Sequence, residues 1–288
     1  MTEEYSLLIG GERVAAPDGY EVINPSTEKV VGMAPNASVE QAAAACSAAR
    51  DAFDSWSRTP MGERCAILDR IADVLDAHRD ELVPLVQAET GATMRVAKTM
   101  QVPQAAARFR RYAQVETNLV PLPPAVMPTT ALAPGGIIGG VEHRAPVGVV
   151  AAIAAYNFPV TNMAGKIAPA LAMGNTVVVK PPTQDPLGVI RMVELFEEAG
   201  LPPGVVNTVS ANTVEAAEAI TGSPDVDMIS FTGSTGVGCR IAEVGGRQMK
   251  RLLLELGGKG AAIVFDDADL KNVISNVSST WTFHSGQI

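Results

Sequence analysis

The sequence predicts an α/β fold built around a doubly wound parallel sheet. Short, continuously apolar runs rich in β-branched residues recur at 147–153, 176–179, 205–209, 228–231 and 261–265. Segments with helical spacing and helix-end residues separate them. Strands that are apolar throughout belong to a sheet covered on both faces, and alternation with helices builds such a sheet in parallel. A length of 288 residues suits about two domains.

The amino-terminal part reads as helical. Ser38 and Gln41 predict a capping box, and the Ala-rich segment after them predicts a helix from 38 to about 56. A second helix starts near Gly62 and places Ile67, Ile71, Val74 or Leu75, and His78 on one face, with His78 as a helix-side residue. A third runs from about Asp80 to Gly91. Pro121, Pro123, Pro124, Pro128 and Pro134, then Gly135-Gly136 and Gly139-Gly140, break the periodicity. The stretch 121–145 is therefore a linker or a flexible two-stranded extension. Farther on, a helix over 187–199 has Asp185 as its expected N-cap, Pro186 at its first position and Gly200 just past its end. Asn212 and Glu215 predict a capping box for the helix after that.

Composition excludes several functions. Lys plus Arg number 22 and Asp plus Glu 31, a net charge of −9, which repels phosphate and argues against nucleic acid or an anionic membrane as partner. Hydrophobic residues make up 47% but aromatics only 5%, which is ordinary for a globular α/β enzyme and far from a disordered chain. Cys46, Cys65 and Cys239 are odd in number and lack CxxC spacing, so neither a disulfide framework nor a structural metal site is expected. The segment Met1-Thr2-Glu3-Glu4-Tyr5-Ser6 has no basic, apolar leader, and the apolar run 147–156 is too short for a membrane span. A soluble protein of a reducing compartment, the cytoplasm, is the expectation.

Two features point to an anionic ligand. Gly233-Ser234-Thr235-Gly236-Val237-Gly238 follows a strand and opens a helix, where small residues let backbone amides approach an anion. Its spacing is not GxGxxG, so the residues alone fit a phosphate turn or a plain tight turn. Lys180 ends the second strand of the parallel set, at the edge where such sheets bind ligands. It can serve ribose hydroxyls, a 2′-phosphate, or solvent alone.

The chain resembles the aldehyde dehydrogenase superfamily. The resemblance is carried by Pro146-Val147-Gly148-Val149-Val150 leading to Asn157-Phe158-Pro159, by Val179-Lys180-Pro181 and by Pro203-Gly204-Val205-Val206-Asn207. Phe231-Thr232-Gly233-Ser234, Leu254-Glu255-Leu256-Gly257-Gly258-Lys259 and Phe283-His284-Ser285-Gly286-Gln287-Ile288 complete it. It implies oxidation of an aldehyde to a carboxylic acid with NAD or NADP, through a cysteine thiohemiacetal and thioester. Asn157 would stabilise the oxyanion and Glu255 would activate the hydrolytic water. Lys166 would relay protons, or simply extend its stem along its helix.

Implied cofactor contacts are Ile153, Ala154, Ala155 and Tyr156 after the first strand, Lys180 and Thr183 after the second, and Phe231 and Thr232 under the nicotinamide. Gly233, Ser234, Val237, Gly238 and Leu256 complete the set. His284 reads as a packing or surface residue.

The implied architecture is a Rossmann-like cofactor domain of 1–124 and 146–257, an oligomerisation hairpin at 125–145, and a truncated catalytic domain at 258–288, in a homodimer or homotetramer. Two departures from the family pattern stand out. Ala155-Tyr156 replaces Pro-Trp, and Thr183 replaces a ribose-binding glutamate, which removes a repulsion against a 2′-phosphate. The nucleophilic cysteine is expected beyond Ile288, since neither buried Cys46 and Cys65 nor Cys239 at the phosphate turn suits that role. Other readings are a non-catalytic cofactor-binding module and an acyl-CoA-forming or acyl-phosphate-reducing relative, though Glu255 as a water-activating base disfavours the last.

Overall fold

A computed structural model describes residues 5–116 and 119–287. Met1 to Glu4, where the leader reading partly falls, and Ile288 lie outside the described residues. The central sheet has seven strands in the order β11-β10-β7-β8-β9-β1-β2. Its parallel core consists of β7 (Val149–Ile153), β8 (Thr176–Lys180), β9 (Val206–Thr208), β10 (Met228–Gly233) and β11 (Arg251–Leu256). At one edge β1 (Leu7–Ile9) runs antiparallel to β9, and β2 (Glu12–Val14) pairs with β1. Beside the sheet, β3 (Asp18–Ile23) and β4 (Val30–Asn36) form an antiparallel pair.

The apolar strands are buried on both faces, as their composition requires. Val150, Ala152, Val177 and Val179 face one core with α2 (Met61–Ala77), α3 (Arg79–Thr90), α5 (Val102–Tyr112), α6 (Pro159–Ala172) and α7 (Leu187–Glu194). Val149, Ala151, Val178 and Ile229 face the other, with α1 (Val39–Arg58), α8 (Val214–Thr221) and α9 (Thr235–Gly246). Small residues such as Ala42, Ala45 and Ala49 bring α1 close to the strands. Cys46 and Cys65 are packed as small apolar groups. The Ser38 capping box forms, with both reciprocal bonds present, and Gly91 ends α3 in the left-handed conformation. His78 sits at the junction of α2 and α3, bonded to Glu81 and Glu198.

Between α3 and α5 the chain makes a one-turn α4 (Met94–Val96) and then a π turn at Ala97–Gln101. Neither these nor β1 to β4 carry a strong sequence signal, whereas α5 has Val102, Ala105, Ala106 and Phe109 on one face, a pattern that sequence reading missed. The proline-rich stretch is a two-stranded antiparallel hairpin of β5 (Leu119–Met127) and β6 (Gly136–His143), starting earlier than 121.

Several expectations are corrected. The run 261–265 is no strand: Ile263 and Phe265 are 75% and 72% exposed, and no described strand lies beside it. The strand next to β10 is β11, whose flanking Arg251 and Glu255 disguise it in the sequence. Asp185 does not cap α7. Its place is taken by Glu89 of α3, whose two carboxyl oxygens accept from the Leu187 and Gly188 amides at 2.7 and 2.8 Å. Helix α7 also ends at Glu194, because 195–200 tightens into turns with i→i−3 bonds from Phe196, Glu197 and Glu198. The Asn212–Glu215 box does not form; Thr213 is the cap of α8, and the Asn212 amide donates to the Asn36 side chain. A tenth helix, α10 (Leu270–Thr282), follows. Among the described residues no helix is long and apolar enough to cross a membrane.

Candidate active site and cofactor cleft

Parallel strands end together, so side chains just past their carboxyl ends converge. The ends of β7, β8 and β10 open on a cavity of about 580 Å³. Ile153, Ala154, Ala155 and Tyr156 form its wall after β7; Lys180 and Thr183 stand after β8; Phe231, Thr232, Gly233, Ser234 and Val237 stand after β10. Eleven residues predicted from sequence thus line one cavity.

The other two, Gly238 and Leu256, lie behind it in contact with each other. A Cβ on Gly238 would come within 2.5 Å of the Leu256 side chain, so glycine there lets α9 approach β11. Val214 and Ala217 of α8, with Ile241 and Val244 of α9, add an apolar slot that sequence reading missed. Small apolar residues on a helix look the same whether they face a core or a cleft.

The turn after β10 has the features of an anion cradle. Ser234 caps α9, its side chain accepting from the Val237 amide, so the other first-turn amides point outward. Lys180 adds the cation. Its Nζ donates to the Thr183 hydroxyl at 3.1 Å, and Thr183 in turn donates to the Ala211 carbonyl at 3.3 Å. Burial pushes the Lys180 amine down to about 8. A buried cation facing a cavity has unmet demand for an acceptor, and ribose hydroxyls or a phosphate supply it. Among the described residues no acidic residue stands in the place of Thr183 to repel a 2′-phosphate.

A second cluster adjoins the cleft. Asn157 leaves β7 just before α6. Its Oδ1 accepts from its neighbour Phe158 amide at 3.0 Å, which turns Nδ2 outward to donate to the Gln287 carbonyl at 2.7 Å. A carbonyl-type acceptor therefore already sits where this amide points. Its backbone carbonyl accepts from Gln101 Nε2 at 3.2 Å and lies against His284 Nε2. His284 is buried and stacks on Phe158 with ring centroids 4.8 Å apart, which agrees with a packing role.

Lys166, two turns into α6, donates to Ser230 Oγ on β10 at 3.1 Å. Burial pushes its amine down to about 8, against the opposing pull of the Glu255 charge. Glu255 lies opposite Thr232 in the β10–β11 ladder. With β10 between them, β7, which leads to Asn157, and β11, which carries Glu255, are two strand spacings apart, on the order of 10 Å. Lys166 and Glu255 are close enough to interact electrostatically, and Lys166 lines a separate cavity with Ser230, Pro169 and Leu253 rather than the cleft itself.

Comparison with known proteins gives concordant results. The sequence pattern of the aldehyde dehydrogenase family matches residues 14–288. Phenylacetaldehyde dehydrogenase of Pseudomonas fluorescens is 38% identical over 99% of this chain and 57% of its own length. The NAD+ complex of an aldehyde dehydrogenase from Bacillus cereus superposes with a TM-score of 0.88 at 34% identity, over 99% of this chain and 57% of that one. An NADP-dependent enzyme from E. coli gives 0.89 at 31% identity, over 99% and 58%. The chain therefore spans little more than half the length of the relatives it matches.

Proposed function

The chain belongs to the aldehyde dehydrogenase family, and on that premise we propose that it is the cofactor-binding and oxyanion-stabilising part of an enzyme that oxidises an aldehyde to a carboxylic acid with NAD or NADP. The observation that carries this is the convergence of Lys180, the Ser234-capped helix and Asn157 on adjoining ends of one parallel sheet. The bound nicotinamide supplies a hydride acceptor. The adenosine end suits the slot between α8 and α9, and the pyrophosphate suits the α9 amino terminus.

Asn157 Nδ2 donates to the aldehyde oxygen as negative charge develops on it during nucleophilic attack; a preorganised donor of this kind contributes about 10²–10³ in rate. The attacking sulfur we place on a cysteine beyond Ile288; Cys46 and Cys65 are buried, and Cys239 belongs to α9. Glu255 takes the proton from the water that cleaves the thioester. Lys166, half protonated near pH 8, is suited to exchange that proton, with Ser230 Oγ holding its Nζ. The exposed apolar residues of the hairpin, Val126 at 80% and Ile137 at 77%, suit subunit assembly. We place the cofactor domain in 1–124 and 146–257, with the catalytic domain beginning near 258.

Cofactor titration of the chain, followed by quenching of NADH and NADPH fluorescence, tests the reading. Binding of either, weakened about tenfold or more in Lys180→Met, supports it; no binding of either refutes it. With threonine at 183, NADP should bind at least as well as NAD, and a strong preference for NAD would overturn that part.

A further inference from the structure

We propose that Gln101 is a positioning residue that fixes the Asn157 peptide so that the Asn157 amide points at the reacting oxygen; this rests on the oxyanion role given to Asn157 above.

Gln101 is fully buried, yet it sits where a helix has been widened. The π turn at Ala97–Gln101 takes Gln101 to φ −95°, ψ −92°, off the helical basin, before α5 begins at Val102. Such insertions project a side chain out of register and recur at functional sites. The turn is locked to the site rather than left loose. The Thr161 hydroxyl, in the first turn of α6, lies 2.6 and 2.8 Å from the Met100 and Gln101 carbonyls and shares its single proton between them.

From this anchored position Gln101 Nε2 reaches the Asn157 carbonyl at 3.2 Å, across 56 residues of sequence. The same carbonyl is approached by His284 Nε2. Two donors on one peptide oxygen hold the 157–158 peptide plane, and Phe158 N–H then holds Asn157 Oδ1. Peptide plane and side-chain oxygen are both fixed, so Nδ2 has one direction left.

The other end of the Gln101 amide makes the case stronger. Its Oε1 is buried and has no hydrogen-bond partner among the described residues. Leaving such an acceptor unpaired is unfavourable, and an isosteric leucine would avoid the cost. A glutamine kept at that expense is best explained by what its Nε2 holds. A purely structural core position does not need it.

The test uses the 288-residue chain with 15N-labelled asparagine. Asn157→Ala identifies the Asn157 side-chain amide pair by its disappearance. Gln101→Leu is then expected to shift or double that pair, as the amide samples more than one direction. The pairs of Asn175 and Asn207, buried amides bonded far from this turn, should stay in place. Gln101→Met, unbranched and of similar reach, gives the same reading should the leucine variant not fold. An unmoved Asn157 pair overturns the proposal, and so does a uniform movement of all three pairs, which would mark a general structural effect. Failure of the wild-type chain to bind NADH or NADPH would instead strike at the functional reading and leave the Gln101–Asn157 result standing.

Discussion

Replacing Lys180 by methionine should make the protein more stable while it weakens cofactor binding. Burial holds the Lys180 amine near 8 in the folded chain, against 10.5 for an ordinary lysine. At about 1.4 kcal/mol per pH unit, that gap corresponds to about 3 kcal/mol of folding free energy forgone when the amine must be charged. The sign follows from proton counts. Between pH 8 and 10.5 the unfolded chain holds the proton and the folded chain does not, so stability rises with pH across that window. Below 8 the full cost is present; above 10.5 it vanishes. Burial depresses the Lys166 amine in the same way and pushes the Lys250 amine down as well, so Lys180 is one of several such groups.

Methionine at 180 keeps the aliphatic stem and removes one of them. Thr183 keeps its own acceptor in the Ala211 carbonyl, so no donor is orphaned. At pH 7 the variant should therefore gain up to about 3 kcal/mol, and its stability should climb less steeply than the wild type's between pH 8 and 10. Urea denaturation followed by tryptophan fluorescence reads both quantities, since Trp56 is buried in the core. In the same protein NADH affinity should fall about tenfold or more, the worth of a charge-assisted hydrogen bond. A variant no more stable than wild type at pH 7, with an unchanged pH slope, would refute the reasoning.

Other outcomes follow from contacts already described. Thr183→Glu puts a carboxylate beside Lys180, and the ratio of NADPH to NADH affinity should drop about tenfold, read by paired titrations. Gly238→Val drives a side chain into Leu256 and should lower stability by about 1–3 kcal/mol, seen in the urea midpoint. Glu89→Ala leaves the Leu187 and Gly188 amides without their acceptor and should cost about 2 kcal/mol near neutral pH. Because burial pushes the Glu89 carboxyl upward, its ionised form is disfavoured in the fold, so the Glu89→Ala penalty should shrink as pH rises.

Much of the fold was legible because buried parallel strands leave a plain mark. Val149 to Ile153 is apolar throughout and Thr176 to Lys180 holds Val177, Val178 and Val179 in a row, which a sheet covered on both faces explains. An edge strand leaves a weaker mark. Arg251–Leu256 has one face packed and one open, so its charged residues hid it, while the equally apolar 261–265 is exposed. What makes a strand is a neighbour to pair with, and no single run records its neighbour.

The site divides in the same way. Asn157, Lys180 and Ser234 sit at turn and cap positions where few residue types serve, so their identities are informative. Glu89 shows the limit. It caps a helix 98 residues away, and local reading gave that task to Asp185, the residue next to it in sequence. Gln101 was equally hidden, because a π turn has no residue signature.

The walls of the cleft come from a single continuous stretch, from Ile153 to Val244. A polypeptide emerging from the ribosome has thus delivered every wall of it well before its final residues are made. A small molecule that fits the cleft can add its binding free energy to the nascent chain at that stage, steadying the half-built sheet while the remainder is still being translated.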